Sequence, residues 1–284
     1  MKNIIKMLGL VTLIGFSFFY TDKVIEVIRQ EDKIMIELDS VKEIYKIDPI
    51  NANIIGNTII PGLNGQTINI EASYKKMKSN GLFNKNLLVY DTISPEISLR
   101  MNNDKFIIQG NNNKQMVSLL FILDNNKYLE KIENILNSKD VIANYFVSYQ
   151  YLIDNSIKIK EMINREFYNY GENGTYTPDN LLFYNNLISR ISSNNAIYCL
   201  AKNMEEQILD LCTENNFYTI TPTIIGNNNP YNTVKENLKS GSIILFEINN
   251  ETLKELSATI DYIKGKGFKI SGLSTLLSEE LVSS

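Results

Sequence analysis

From Lys114 onward, short apolar runs alternate with longer stretches in which apolar residues recur every three or four positions. Val117 to Leu123 is almost continuously apolar, as a strand covered on both faces requires. Tyr128, Leu129, Ile132, Ile135 and Leu136 then follow at helical spacing. The same reading predicts further strands at 141–147, 167–171, 196–200, 217–221, 242–247 and 268–271. The helices between and after them are expected at 150–165, 179–191, 203–215, 231–239, 250–264 and 274–281. Strands alternating with helices of this length imply parallel pairing through right-handed crossovers. Seven such units predict an α/β fold, closed or nearly closed into a barrel rather than left as an open sheet.

Upstream of Lys114 the pattern changes. Gly56-Asn57, Pro61-Gly62 and Asn64-Gly65 are turn pairs that separate β-prone pieces such as Thr58–Ile60 and Thr67–Ile70. A short helix over 71–78, closed by Gly81, and strands near 87–90 and 106–108 complete a small α+β module expected at 49–114. Asn111-Asn112-Asn113 marks its boundary with the domain at 115–284. Between 22 and 48, charges alternate with Val24, Ile28, Ile34, Leu38 and Val41, which predicts a juxtamembrane helix packed on its own domain rather than a coiled coil, since Glu31 interrupts the stripe. At the start, Lys2 and Lys6 lead into the apolar run Met7–Tyr20, and no small-x-small cleavage site follows. That arrangement predicts a single-pass signal anchor over 1–21, with the main domains outside the cytoplasm.

Composition narrows the chemistry. Hydrophobic residues at 44% and charged residues at 21% describe an ordinary globular chain. A net charge of -4 gives no basic footprint for nucleic acid. The chain contains no histidine, which removes His-ligated metal sites, Ser-His-Asp and Cys-His machinery, and any histidine general base. Cys199 lies in an apolar run and Cys212 in a helical one, so two buried free thiols are expected, with a disulfide as the alternative outside the cell.

With these elements placed, the chain resembles the polysaccharide deacetylases, carbohydrate esterase family four, over about residues 115 to 280. Gly241–Glu247, the helix 253–267 and Phe268-Lys269-Ile270 are similar to that family's last two units. Val117–Leu123 is similar to its first strand, and Asn144-Tyr145-Phe146-Val147 to its second. Gly171 through Pro178-Asp179 matches the segment carrying its paired histidines. The resemblance implies a distorted seven-stranded β/α barrel whose catalytic places are occupied by other residues. Ile122 and Leu123 stand where the family has a base and a metal-binding aspartate, and Asp124 follows one step later. Asn173 and Thr177 stand at the paired histidines, Tyr198-Cys199-Leu200 at the arginine-proline motif, and Glu247 at the late histidine.

One amide, one hydroxyl and one aspartate do not hold a transition metal. Without it neither the water nor the substrate carbonyl is activated, and losing acid and base removes further factors of roughly 10²–10⁴ each. The resemblance therefore implies a pseudoenzyme with no metal and no cofactor, whose cleft candidates are Asp124, Asn173, Thr177, Tyr176 and Glu247. Its expected role is binding cell-wall polysaccharide, or acting as an envelope structural or protein-interaction module. The alternative is an active hydrolase: a deacetylase with a rebuilt site, or a metal-free enzyme pairing Glu247 with a second carboxylate. Asp124, Glu172 and Asp179 are loop carboxylates or helix caps in the plainer reading. Tyr168, Tyr170, Tyr176 and Tyr231 either stack on sugar rings or fill the core.

Overall fold

The structure, a computed structural model, describes residues 12, 14–17, 32–162, 164–192 and 197–281. The anchor expected over 1–21 and the first part of the juxtamembrane helix fall almost wholly outside those residues. Among the described residues no helix is long and apolar enough to cross a membrane.

Two compact units are formed, Met1–Pro49 with Asn64–Ser94, and Ile50–Leu63 with Pro95–Ser284. In the first, helix α1 (Lys33–Val41) starts at Asp32, whose carboxylate accepts the Ile34 backbone N–H at 2.9 Å and the Tyr74 hydroxyl at 2.9 Å. Ile34 and Leu38 of α1 pack against Ile68, Tyr74 and Met77. The last two lie on helix α2 (Ile70–Lys78), capped by Asn69. Strands β3 (Gly65–Ile68) and β4 (Tyr90–Ile93) pair antiparallel. A side chain at Gly65 would place its Cβ 2.2 Å from the Ile47 carbonyl oxygen, so only glycine admits this crossing.

The second unit is a mixed α/β fold built on two sheets. One runs β1 (Asn53–Ile55), β2 (Thr58–Ile60), β5 (Phe106–Ile107), β10 (Tyr218–Ile220) and β9 (Tyr198–Leu200). The other runs β11 (Ile224–Ile225), β12 (Ile243–Glu247), β6 (Met116–Leu123), β7 (Ala143–Val147) and β8 (Arg165–Asn169), with β13 (Lys269–Ile270) paired to β6. The single ring of seven strands expected from the sequence is thus divided into two hydrogen-bonded sheets. The boundary expected near 114 also moves: β2 pairs with β5, and β5 with β10, so 50–63 and 95–114 belong to the larger unit. Short strands with turn signals carry no mark of which distant edge they will join.

The helices are α3 (Leu129–Ser138), α4 (Tyr149–Asp154), α5 (Ser156–Glu161), α6 (Pro178–Ile191), α7 (Glu206–Glu214), α8 (Pro230–Asn237), α9 (Asn250–Gly265) and α10 (Leu273–Leu277). The helix expected over 150–165 is broken at Asn155, whose φ of -128° and ψ of 21° leave the helical region. Arg165, expected to end that helix, begins β8 instead.

All eight residues of β6 are buried. Val117, Leu119, Phe121 and Leu123 face one apolar cluster with Leu129, Ile132, Leu256 and Ile260 of the flanking helices. Met116, Leu120 and Ile122 face another with Phe146, Tyr168, Leu200, Ile220 and Leu245. Period-two alternation therefore sorts the strand residues into an inner set, shared by both sheets, and an outer set under the helices.

Candidate functional site

The inner set can be followed along each strand to its C-terminal end. On β6 it runs Leu120, Ile122 and then Asp124; on β12, Ile243, Leu245 and then Glu247. Tyr168 leads to Tyr170, and Tyr198 and Leu200 lead to Lys202. These last positions rise beyond the packed interior and converge on a cavity of about 320 Å³, lined by Ile122, Asp124, Asn125, Tyr170, Asn173, Lys202, Glu247, Ile248 and Asn249. It lies at the edge of the sheet where parallel α/β folds place their ligands.

Local structure fixes the walls. Asn173 adopts a left-handed conformation, φ 53°, in the tight excursion after β8. Gly171 starts that excursion at φ 68°, and a Cβ there would come within 2.2 Å of the Thr175 carbonyl oxygen. Glu247 accepts the Asn227 side-chain amide at 3.0 Å, and Asp124 accepts that of Asn125 at 2.6 Å. Asn249 caps α9 by accepting the Thr252 N–H at 2.8 Å. The Lys202 ammonium stands 5.5 Å from the centre of the Tyr170 ring.

Five of the residues singled out from the sequence, Ile122, Asp124, Tyr170, Asn173 and Glu247, thus share one cavity. Leu123, Thr177, Tyr176 and Tyr198 do not join them. Leu123 belongs to the outer set, fully buried under the helices, because one residue along a strand reverses the face. Tyr198 is buried in the inner cluster. Thr177 is the N-cap of α6 and exchanges hydrogen bonds with Asn180 in a capping box, which occupies its hydroxyl. Tyr176 is buried, donating to the Asn169 carbonyl and accepting the Leu200 N–H, both at 3.0 Å, and burial pushes its phenol pKa upward. Of the four tyrosines considered for sugar stacking, Tyr170 alone lines the cavity. Asp179 sits in the first turn of α6, and Glu172 bridges to Thr175 within the loop. Lys202, Asn125 and Asn249 were missed; continuing the alternation of Tyr198 and Leu200 by two residues would have found Lys202.

The thiols expected to be free form a disulfide, Cys199–Cys212, with Cα atoms 6.6 Å apart. β9 and α7 bring them face to face within one buried cluster, a proximity that spacing in the chain does not disclose. A larger cavity, about 510 Å³, lies between α3 and α5, but Glu133 in its wall is already committed to Arg165, and no strand end contributes to it.

The donors at the strand ends do not suit a transition metal. They are an exposed aspartate, a glutamate held by an amide, and neutral asparagines, with an ammonium on the same wall. Among the described residues no three acidic or cysteine side chains are grouped to hold an ion.

No family model matches the chain. It is 27% identical over 266 residues to the uncharacterized protein YlxY of Bacillus subtilis, covering 83% of this chain and 80% of that one. Among solved structures it is similar to a mutant of BA3943, a CE4 family pseudoenzyme with restored enzymatic activity, at 25% identity and a TM-score of 0.66. That match covers 88% of this chain and 100% of the other; wild-type BA3943 is from Bacillus anthracis.

The chain's solved structural neighbours are thus CE4 family pseudoenzymes and, more distantly, polysaccharide deacetylases. Its likeness to the family 4 carbohydrate esterase PdaA of Bacillus subtilis, 18% identical with a TM-score of 0.52 over 63% of this chain and 86% of the other, concerns the fold. The cavity carries Ile122, Asn173 and Glu247 where the sequence resemblance implies base, metal ligand and acid.

Proposed function

We propose that this deacetylase-like protein is a non-catalytic glycan-binding module of the cell envelope, held at the membrane by its N-terminal segment with the main domains outside the cytoplasm. The observation that carries the reading is the cavity at the strand ends. Its walls offer amides, two carboxylates, an ammonium and one tyrosine edge, the mixture that recognises sugar hydroxyl and acyl groups. Its donor set holds neither a metal nor an acid–base pair of the family type. The two sheets are read as one distorted barrel around the shared inner cluster. The buried Cys199–Cys212 disulfide supports an oxidising compartment, and the basic lead into the apolar run Met7–Tyr20 supports membrane anchoring.

The test is to assay the full-length protein for binding to, and acetate release from, acetylated chitin and peptidoglycan fragments. Binding without acetate release is the expected result. Acetate release that disappears in Glu247→Gln would replace this reading with a rebuilt enzyme, and absence of binding would replace it with a protein-interaction module.

A further inference from the structure

Lys202 brings a positive charge to a cavity whose other charged members are Asp124 and Glu247. Among the described residues no carboxylate lies within ion-pairing distance of it. Among the described residues its partner is the face of Tyr170, 5.5 Å from the ring centre, close enough for a cation–π attraction that holds the side chain over the cavity wall. The two carboxylates, for their part, meet neutral amides, Asn125 at 2.6 Å and Asn227 at 3.0 Å, rather than a cation. The ammonium is therefore positioned but not consumed, with N–H donors left for a ligand. A divalent ion added to the same wall would meet its repulsion.

We propose that Lys202 serves as the cavity's own cation and binds a carbonyl-type oxygen of a glycan directly, with no metal ion between them. This rests on the glycan-binding reading above. The acceptor is either the carbonyl of an N-acyl group or a sugar carboxylate, which share the geometry that a charged N–H donor recognises. Asp124 and Glu247 then face the hydroxyls of the same sugar as acceptors. A cavity of about 320 Å³ suits one ring at a time.

The experiment is calorimetric titration of the full-length protein with a tetramer of N-acetylglucosamine and, separately, a tetramer of galacturonic acid. Each is run with EDTA and with added zinc, on the wild type, Lys202→Met and Lys202→Gln. Lys202 is partly exposed and has only the Tyr170 contact, so both variants should unfold at the wild-type temperature. The expected result is binding of one tetramer that EDTA leaves unchanged, weakened about tenfold or more by Lys202→Met and less by Lys202→Gln, which keeps donors without the charge. The tetramer that binds identifies the acceptor. Wild-type affinity in both variants, or binding that vanishes in EDTA and returns with zinc, overturns the proposal and leaves the glycan reading standing. Failure of the wild type to bind either tetramer removes that reading and the proposal with it.

Discussion

Glu247 is the direct register partner of Ile122 across the parallel ladder of β12 and β6. A carboxylate and an aliphatic side chain thus stand side by side at the floor of the cavity, where the family resemblance implies an acid beside a base. The pairing also shows what rebuilding the base would cost. Ile122 is 4% exposed and packs with Leu120, Phe146 and Leu245. Ile122→Asp removes that packing and places a second carboxyl beside Glu247 in a poorly hydrated position. It is expected to destabilise the protein by roughly 3 kcal/mol, read from urea unfolding. Wild-type stability in the variant would mean that the position is open to water and that the inner series ends one residue earlier.

Thr177 separates a capping role from a role in the cleft. Its hydroxyl accepts the Asn180 N–H and Asn180 accepts the Thr177 N–H, closing both ends of the box that starts α6. Thr177→Ala should therefore lower stability by about 1 kcal/mol while leaving glycan affinity within twofold. A large loss of affinity with unchanged stability would return Thr177 to the cavity.

The contrast between Thr177 and Lys202 shows what the sequence could and could not reveal. Apolar periodicity located β6, β7, β12 and α9 to within two residues, because burial on both faces of a strand leaves an unbroken apolar run. The resemblance then aligned positions in order, but it did not say which face of a strand each residue takes. Leu123 stands at an aligned family position and Tyr176 is a candidate sugar-stacking aromatic, yet both lie in packed interiors, whereas Lys202, which neither reasoning marks, lies in the cavity. Face alternation, applied at each strand end, recovers the placement of Leu123 and of Lys202, whereas Tyr176 lies in the loop beyond β8. The pairing of β5 with β2 and β10 and the Cys199–Cys212 bond depend on contacts between distant segments, and neither leaves a local signal.

The disulfide gives a prediction of its own. Cys199 and Cys212 are both fully buried and close a loop of sequence separation 13, tying α7 to β9, the strand that leads into Lys202 two residues past its end. Opening a loop of that size should cost about 3 kcal/mol. Prolonged reduction under mild denaturant should lower the unfolding midpoint of the wild type and leave a Cys199→Ala, Cys212→Ala variant unchanged. Equal midpoints with and without reductant in the wild type would show that the two thiols are free.

Arg165 offers a second stability test, remote from the cavity. Its side chain is 1% exposed and meets Glu133 at 2.9 Å, with further hydrogen bonds to Asn137 and the Val141 carbonyl. Tyr145 donates its hydroxyl to the same Glu133, and burial first, then the charge of Glu133, pushes the phenol pKa well upward. Glu133→Gln leaves the guanidinium buried without its counter-charge and should cost about 3–5 kcal/mol. Replacing Glu133 and Arg165 together by Gln and Met should cost less than Glu133→Gln alone. A double variant worse than the single one, measured by chemical denaturation, would show that the two residues contribute independently.

Lys114 links the stability of the C-terminal segment to pH. It is buried, and its ammonium donates to the carbonyl oxygens of Thr275, at 2.8 Å, and Ser278. Burial lowers its pKa from 10.5 to about 8, against the opposing influence of Glu280 and Glu279. An unfolded chain keeps this proton to higher pH, so between about pH 8 and 10.5 the unfolded state binds more protons than the folded one. The group's contribution to stability therefore rises across that window. It is complete above 10.5 and is lost as pH falls through 8. Lys114→Met has nothing to titrate there, and the remaining groups cancel when variant and wild type are compared. The difference in unfolding free energy should thus move in favour of the wild type from pH 8 to 10.5 and stay level below pH 7. A difference that is flat across the whole range would place the Lys114 ammonium in contact with water.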